Sequence, residues 1–378
     1  MKVDPYNHQK RYLKWKGLIL KEGIKEISKE NSDKIINYVF DMEMGLNVAL
    51  KSQKGARSYV HLNNLKQRMI FMTKQFEQRH DNINLADLTE EILFSLFNEM
   101  RTGQLKRIDG KNYTSVRDFV KVLKSFWHWH IKSSKKKGII VEDITNDLDM
   151  SAEKPKWVYL TESQINLLLS NSPPKIRTLL LFLFDTGIRA PTELMNVKIS
   201  DFFNDFKELQ IREEASKTFG RRIKLMLCSD QVRDYVIGNH LSKDDYLFPI
   251  SPPSINQTIQ RLAKNLFGDD VSQAGARYSE LTMYDFRHNS CCYWLPRYKS
   301  ESALMYRFGW KKSDKIHYYS ELLGMKDTIQ ESDLVIDKNT PQVEQKPVDE
   351  EKEILKTRLA LMEQQLAKIM SISSSISI

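Results

Sequence analysis

Apolar residues recur at three- and four-residue spacing through the first 150 positions. Segments 31–42, 62–76 and 115–131 carry that period most clearly. In the third, Phe119, Val122, Leu123, Phe126 and Trp127 make one stripe, with Lys121, Lys124 and Lys132 elsewhere on the helix. Strand-like alternation is scarce, so residues 1–150 are expected to form a helical bundle. Residues 151–157 then read as a linker, because the run from Ser151 to Lys156 is short, polar and holds Pro155. Thr161 is predicted to cap a helix running through Leu169. Segment 176–185 is apolar nearly all round, which predicts a buried helix ending at Thr186-Gly187, with Gly187 suited to a left-handed cap.

Between 201 and 227 the period changes. Leu209-Gln210-Ile211 and Ile223-Lys224-Leu225-Met226-Leu227 are strand-like, and 216–220 has turn character, so a β-hairpin is expected. Helical spacing resumes near Ser254 and continues to about Leu323. The fold class is therefore mainly α with a small β-sheet. Segment 326–349 is polar and acidic, holds Pro341 and Pro347, and reads as a disordered linker. Leu355, Leu359, Met362, Leu366 and Ile369 then repeat at 4-3-4-3 spacing. Residues 350–371 are thus an amphipathic helix, packing on its own protein or forming a short coiled coil. The tail, 372–378, carries no signal.

Composition adds limits. Of the 378 residues, 41% are hydrophobic, enough to build cores, and the mean hydropathy of −0.49 is that of a soluble protein. The densest apolar run, 179–184, is six residues long, far short of the ~18–20 that span a bilayer. The opening residues are polar and lack the apolar core of a secretory signal. Cys228, Cys291 and Cys292 are an odd set with two adjacent members, which suits neither a disulfide framework nor a zinc ribbon. A reducing, cytoplasmic setting follows. Lysine and arginine number 58 against 49 acidic residues, a net charge of +9. That excess is compatible with a nucleic-acid partner but does not assign one.

The chain holds no phosphate-binding loop ending in GK[ST], no HExxH and no CxxC. His128 and His130 stand in an aromatic segment without neighbouring ligand residues in sequence, which favours a structural or DNA-facing role over a metal site. What remains is an ordered set in the second half. It runs Thr186-Gly187-Ile188-Arg189, Glu193-Leu194, Lys217-Thr218, Tyr284-Asp285-Phe286-Arg287-His288, Gly309-Trp310 and His317-Tyr318-Tyr319-Ser320-Glu321-Leu322. In this order and spacing the set resembles the tyrosine recombinases, the phage-type integrase family that includes the Xer, Cre and Flp enzymes. The family pattern is an Arg after a TG turn, a hairpin Lys, an HxxR box, a G-(H/W) step and a Tyr nine residues further on. Arg189, Lys217, Tyr284 with Arg287, Trp310 and Tyr319 occupy those places, and Trp310 to Tyr319 is nine residues. The resemblance covers about residues 158–324 and is mainly architectural before them.

The resemblance implies a two-domain DNA clamp. Residues 1–150 would be a helical core-binding domain, and 158–325 an α+β catalytic domain. The implied activity is site-specific strand exchange through a covalent 3′-phosphotyrosyl link, without metal or nucleotide cofactor. The implied partner is double-stranded DNA at specific recombination sites, bound by a homotetramer. Tyr319 would be the nucleophile, Arg189 and Arg287 phosphate clamps, and Lys217 the general acid. The chemistry suits these residue types, because a phenol conserves the phosphodiester's energy in its ester. Guanidinium forks hold nonbridging oxygens bidentately and stay ionised. Lys135, Lys136 and Lys137, with Arg221 and Arg222 on the hairpin, are expected to contact DNA phosphates. The C-terminal appendage suggests a mobile element or virus.

Two departures from the pattern stand out. Tyr284 replaces the first His of the HxxR box, and a phenol of pKa ~10 is expected to orient rather than exchange protons. Glu193 lies four residues after Arg189, where the family usually shows three. Thr282 and Ser313 are expected to cap the helices that carry Arg287 and Tyr319. Two other readings share these residues: a type IB topoisomerase-like relaxing enzyme, and an inactive DNA-binding or excision-control protein.

Overall fold

In the computed structural model, residues 3–49, 52, 54–151, 154–298 and 300–323 are described, together with 356, 359, 360, 362 and 363. The first part of the chain is helical, in the order α1 (His8–Glu22), α2 (Lys29–Met44), α3 (Tyr59–Arg79), α4 (Glu90–Thr102) and α5 (Val116–Lys135). Hydroxyl caps start three of these helices: Ser28 accepts from the Asn31 amide, Ser58 from His61 and Thr89 from Ile92. One apolar cluster, drawn from residues 12–148, fills the space between them. The expected α5 stripe is largely there. Val122, Leu123, Phe126 and Trp127 are buried, while Phe119 is half-buried against Phe71 and Tyr113. His128 does have a carboxylate partner that its sequence neighbourhood did not reveal, since its Nε2 lies 2.9 Å from Asp143 Oδ2.

The second part is described from Trp157 onward. Trp157, placed by the sequence at the end of the linker, is buried and exchanges backbone hydrogen bonds with Ala274 and Ala276. Thr161 caps α6 (Glu162–Ser170) in a full capping box with Gln164. The buried helix α7 (Pro174–Thr186) ends as expected at Gly187, whose φ is 58°. The sheet has strands β1 (Phe202–Phe203), β2 (Glu208–Ile211) and β3 (Arg221–Lys224), antiparallel in that order. Helices α8 (Ser229–Gly238), α9 (Pro252–Phe267), α10 (Asp285–Trp294), α11 (Glu301–Phe308) and α12 (Asp314–Leu322) complete the part. Two further apolar clusters lie here. One spans residues 158–286 and the other gathers Trp157 with residues from α10 to α12.

Three local expectations are corrected. Strand β3 ends at Lys224; the Leu225 amide still reaches the Lys207 carbonyl, but the next three are captured elsewhere, with Met226, Leu227 and Cys228 donating to Asp185 Oδ2 at 2.9, 2.7 and 3.0 Å. Thr282 does not cap α10. Its amide and hydroxyl both donate to Asp285 Oδ2 at 2.7 Å, so the acidic residue accepts and Tyr284 takes the N-cap position. Ser313 does stand at the N-cap of α12 but makes no side-chain cap bond. Of the proposed C-terminal seam, Leu359 and Met362 are helical and exposed. Leu355, Leu366, Ile369 and the 326–349 linker lie outside the described residues. Among the described residues no helix is long and apolar enough to cross a membrane.

Asp185 ties this part together. Besides the three amides, its Oδ1 accepts from Arg307 Nη2 at 2.8 Å, and its carbonyl accepts from Trp294 Nε1 at 2.8 Å. Asp185 and Arg307 are both buried, so removing one leaves the other charged and unpaired in a low-dielectric interior. Asp185→Ala is expected to destabilise the protein by about 3–5 kcal/mol. Denaturant titration against the wild type measures this.

Candidate active site

The sequence-predicted residues come from five separate segments, and the turn after α11 holds two of them, Arg189 and Arg287, directly. Arg189 Nη2 donates to the Gly309 carbonyl at 2.8 Å, and Arg287 Nη2 donates to the preceding carbonyl, Phe308, at 2.6 Å. Two guanidinium groups, one from the turn after α7 and one from α10, are thus held side by side on adjacent peptide oxygens. The Gly309 carbonyl also accepts from Thr218 Oγ1 at 2.9 Å, which fixes the turn carrying Lys217 against the same point. Lys217 itself is exposed. A third carbonyl, that of Gly187, accepts from Arg287 Nη1 at 2.5 Å. Arg189 reaches the site from the turn that Gly187 opens. A Cβ at Gly187 would collide with the Phe308 ring, and its positive φ disfavours any side chain.

Glu193 organises the positive charge. Its Oε1 accepts from Arg189 Nη1 at 2.6 Å and its Oε2 from the Arg189 amide at 2.9 Å. Arg221 grips the same carboxylate with Nη1 at 3.2 Å and Nη2 at 2.9 Å, and donates Nε–H to the Arg307 carbonyl. The four-residue separation of Arg189 and Glu193 therefore still closes an ion pair. Arg221, expected on the DNA face, is instead buried at 1% exposure. The two-residue period of β3 explains this: Arg221 and Ile223 point inward, Arg222 and Lys224 outward. Arg222 is exposed, pairs with Glu208 and lies over the Phe203 ring. Lys135, Lys136 and Lys137 are exposed at the end of α5.

Three guanidinium groups against one carboxylate leave the centre short of negative charge. Burial and the neighbouring Arg189 charge lower the Arg287 guanidinium to about 10, still protonated at neutral pH. Each guanidinium carries five N–H groups, and Arg189 and Arg287 each direct only two of theirs into the side-chain bonds above. The arrangement suits a bidentate oxyanion such as a phosphodiester.

The aromatic wall completes the centre. The Arg287 guanidinium lies 5.9 Å from the Trp310 ring centroid. Trp310 stacks between Phe308, at 5.0 Å, and Tyr319, at 6.0 Å and 11°. Adjacent positions on α12 point in different directions, which separates the two candidate nucleophiles. Tyr318 accepts from Trp157 Nε1 at 2.7 Å and donates to the Pro155 carbonyl, so it anchors the linker. Tyr319 is buried beside Trp310, with its hydroxyl 2.5 Å from His288 Nδ1. Burial raises the Tyr319 phenol above its ordinary value. Tyr284 is half exposed and does not join the arginines; its ring meets His288 edge-on at 5.2 Å. Sequence reasoning assigned no role to His288 or Trp157. His288 stood in view directly after Arg287, one helical turn beyond Tyr284, whereas nothing in the linker-like run marked Trp157.

The Glu193 network makes a pH-dependent contribution. Burial alone would raise the Glu193 carboxyl, but the Arg221 hydrogen bonds and the Arg221 and Arg189 charges outweigh it, lowering the pKa to about 2. A depressed carboxyl stabilises the fold above its ordinary value and loses that contribution as pH falls toward the folded value. Against the usual 4.5 this is worth about 3 kcal/mol. Stability measured by denaturation should fall by that amount between roughly pH 5 and pH 2. In Glu193→Gln this component of the acid limb should be missing, and the neutral-pH stability should already be reduced.

Similar folds occur among solved structures. A lambda integrase dimer bound to a COC′ core site matches with a TM-score of 0.58 and 15% identity, covering 81% of each chain. The Tn1549 transposon integrase, residues 82–397, in complex with circular intermediate DNA, matches with a TM-score of 0.54 and 16% identity, over 70% of this chain and 90% of that one. A lambda integrase tetramer bound to a Holliday junction matches with a TM-score of 0.58 and 15% identity over 79% of each chain. No family model and no curated protein matches the sequence. This chain, mainly helical with one small antiparallel sheet, has the fold of the tyrosine recombinases represented by the lambda and Tn1549 integrases.

Proposed function

We propose that the chain is a site-specific DNA recombinase that cleaves and rejoins strands through a covalent 3′-phosphotyrosyl intermediate, with no need for a metal or nucleotide cofactor. One observation carries the reading. Arg189 and Arg287 are fastened to adjacent carbonyls beside a surplus of buried positive charge, and Trp310 links them to a buried tyrosine hydroxyl. A phosphodiester brings one negative charge to such a centre, and its five-coordinate transition state brings more. Donors fixed in advance there stabilise the transition state without reorganising.

In this reading Arg189 and Arg287 hold the nonbridging oxygens and Tyr319 attacks phosphorus. Lys217, exposed on a turn anchored through Thr218, protonates the departing 5′ oxygen. Trp310 walls the site. Arg221 acts from behind, by holding Glu193 where Glu193 holds Arg189. Residues 1–150 and 158–325 serve as DNA-binding and catalytic domains. Lys135, Lys136, Lys137 and Arg222 supply phosphate contacts that weaken with salt. Two synapsed sites present four strands to cut, which calls for four protomers. The lambda integrase tetramer on a Holliday junction offers the precedent.

The test is a nicked duplex carrying the DNA that flanks the chain's own gene. A nick near the cleavage point lets the short 5′ fragment escape and traps the covalent adduct. The wild type should accumulate a protein–DNA adduct, Tyr319→Phe should form none while keeping its DNA affinity, and Tyr318→Phe should still form it. Arg287→Ala should slow adduct formation by at least about 10²–10³-fold, the usual loss for one preorganised oxyanion donor. Failure of the wild type to form an adduct, or an adduct that survives Tyr319→Phe, overturns the reading.

A further inference from the structure

The recombinase reading leaves one step without an owner. A buried phenol has to lose its proton as it attacks phosphorus, and Tyr284 is turned half outward with its ring edge against another residue. That residue is His288, whose Nδ1 lies 2.5 Å from Tyr319 Oη. Positions 284 and 288 are one turn apart at the start of α10, so their side chains project from the same face. A histidine at either position therefore serves the same region of the site. Trp157 stacks flat on the imidazole at 4.8 Å and 24°, and meets Tyr319 edge-on at 6.2 Å. The indole face fixes the plane of the ring.

We propose that His288 is the catalytic base for Tyr319, taking over from the position that Tyr284 occupies. The inference rests on the recombinase reading and deepens it. With the imidazole proton on Nε2, Nδ1 accepts the Tyr319 hydroxyl. As the Oη–P bond forms, the phenolic proton passes to Nδ1 and His288 becomes an imidazolium under the Trp157 face. The P–O5′ bond breaks, and the 5′ oxygen leaves with a proton from Lys217. Rejoining runs the same path backwards: the incoming 5′ hydroxyl returns a proton to Lys217, the Oη–P bond breaks, and the imidazolium reprotonates the phenolate. Tyr284 keeps a positioning role, as an edge against the imidazole. Burial holds the Tyr319 phenol above its ordinary range, and a base in contact with the hydroxyl works against that shift.

The test compares His288→Asn and His288→Gln with Lys217→Ala on two versions of the nicked duplex, one with a normal 5′ oxygen at the cleaved bond and one with bridging sulfur. Asn keeps a hydrogen-bonding group near the Nδ1 position but cannot take the proton, and Gln guards against a fold defect peculiar to one variant. Melting and DNA affinity should remain those of the wild type for at least one of the two. Adduct formation on the oxygen substrate should drop by about 10²–10⁴-fold in both His288 variants and in Lys217→Ala. Sulfur leaves without a proton, so it should restore Lys217→Ala and leave the His288 variants slow. His288 variants that cut at the wild-type rate, or that sulfur restores as it does Lys217→Ala, overturn the assignment while the recombinase reading stands. A wild type that forms no adduct on either substrate overturns both.

Discussion

The second part of the chain is organised by the burial of arginines. Arg221, Arg287 and Arg307 are each at most 4% exposed, yet among the described residues two buried carboxylates, Glu193 and Asp185, serve them, the first paired with Arg221 and the second with Arg307. A guanidinium taken out of water needs hydrogen bonds to offset its lost hydration. Peptide carbonyls make up the deficit here: those of Gly187, Phe308 and Gly309 receive Arg287 and Arg189, and that of Arg307 receives Arg221. Carbonyl dipoles meet some of the donors without cancelling the charge. The centre is therefore hydrogen-bonded but still electropositive, the condition under which an anion binds most strongly.

This solution constrains the backbone. For one turn to offer adjacent carbonyls to two arginines, the chain must reverse directly after α11, and Gly309 does so with φ of 61°. A Cβ there would press on the Arg221 guanidinium, so the absence of a side chain is needed sterically as well as conformationally. Gly187 meets the same double requirement at the end of α7, against the Phe308 ring. The carbonyls of the same two glycines receive the arginines, that of Gly187 taking Arg287 and that of Gly309 taking Arg189. Asp185 holds the frame behind this arrangement by tying α7 to α11 and to the segment after β3. The electrostatic centre and the structural frame are thus built from neighbouring residues of one helix end.

How much of this was legible follows from the range of each interaction. Helix periods, the Thr161 cap and the Gly187 cap are local, and the sequence displays them. The hairpin was legible too, except that its second strand ended early and Asp185, some forty residues upstream, draws the amides of Met226 to Cys228 away. Arg189, Arg287 and Tyr319 were found through motif spacing, which is a record of geometry. Arg221 was misread because a basic hairpin residue looks like a phosphate contact until its partner is known, and that partner, Glu193, is 28 residues away. Trp157 was hidden by the polar run before it. Its surroundings come from α10, α12 and the loop around Ala274, which no local pattern foretells.

The adjacent tyrosines show what motif spacing alone does not decide. Successive residues on an α-helix project about 100° apart, so Tyr318 and Tyr319 meet different chemistry although they share a helix and a side-chain type. Tyr318 is spent on the linker through Trp157 and Pro155, and Glu321 on the same helix pairs with Lys154. Tyr319 turns the other way, onto Trp310 and His288. Trp157 touches both sides, donating to one hydroxyl while its ring covers the imidazole that holds the other. The placement of the candidate nucleophile thus depends on the segment that joins the two halves of the chain. The register of α12 is fixed by these contacts on both faces: a shift by one residue would bring Tyr318 to His288 only by breaking the Trp157 bond and the stack on Trp310 together.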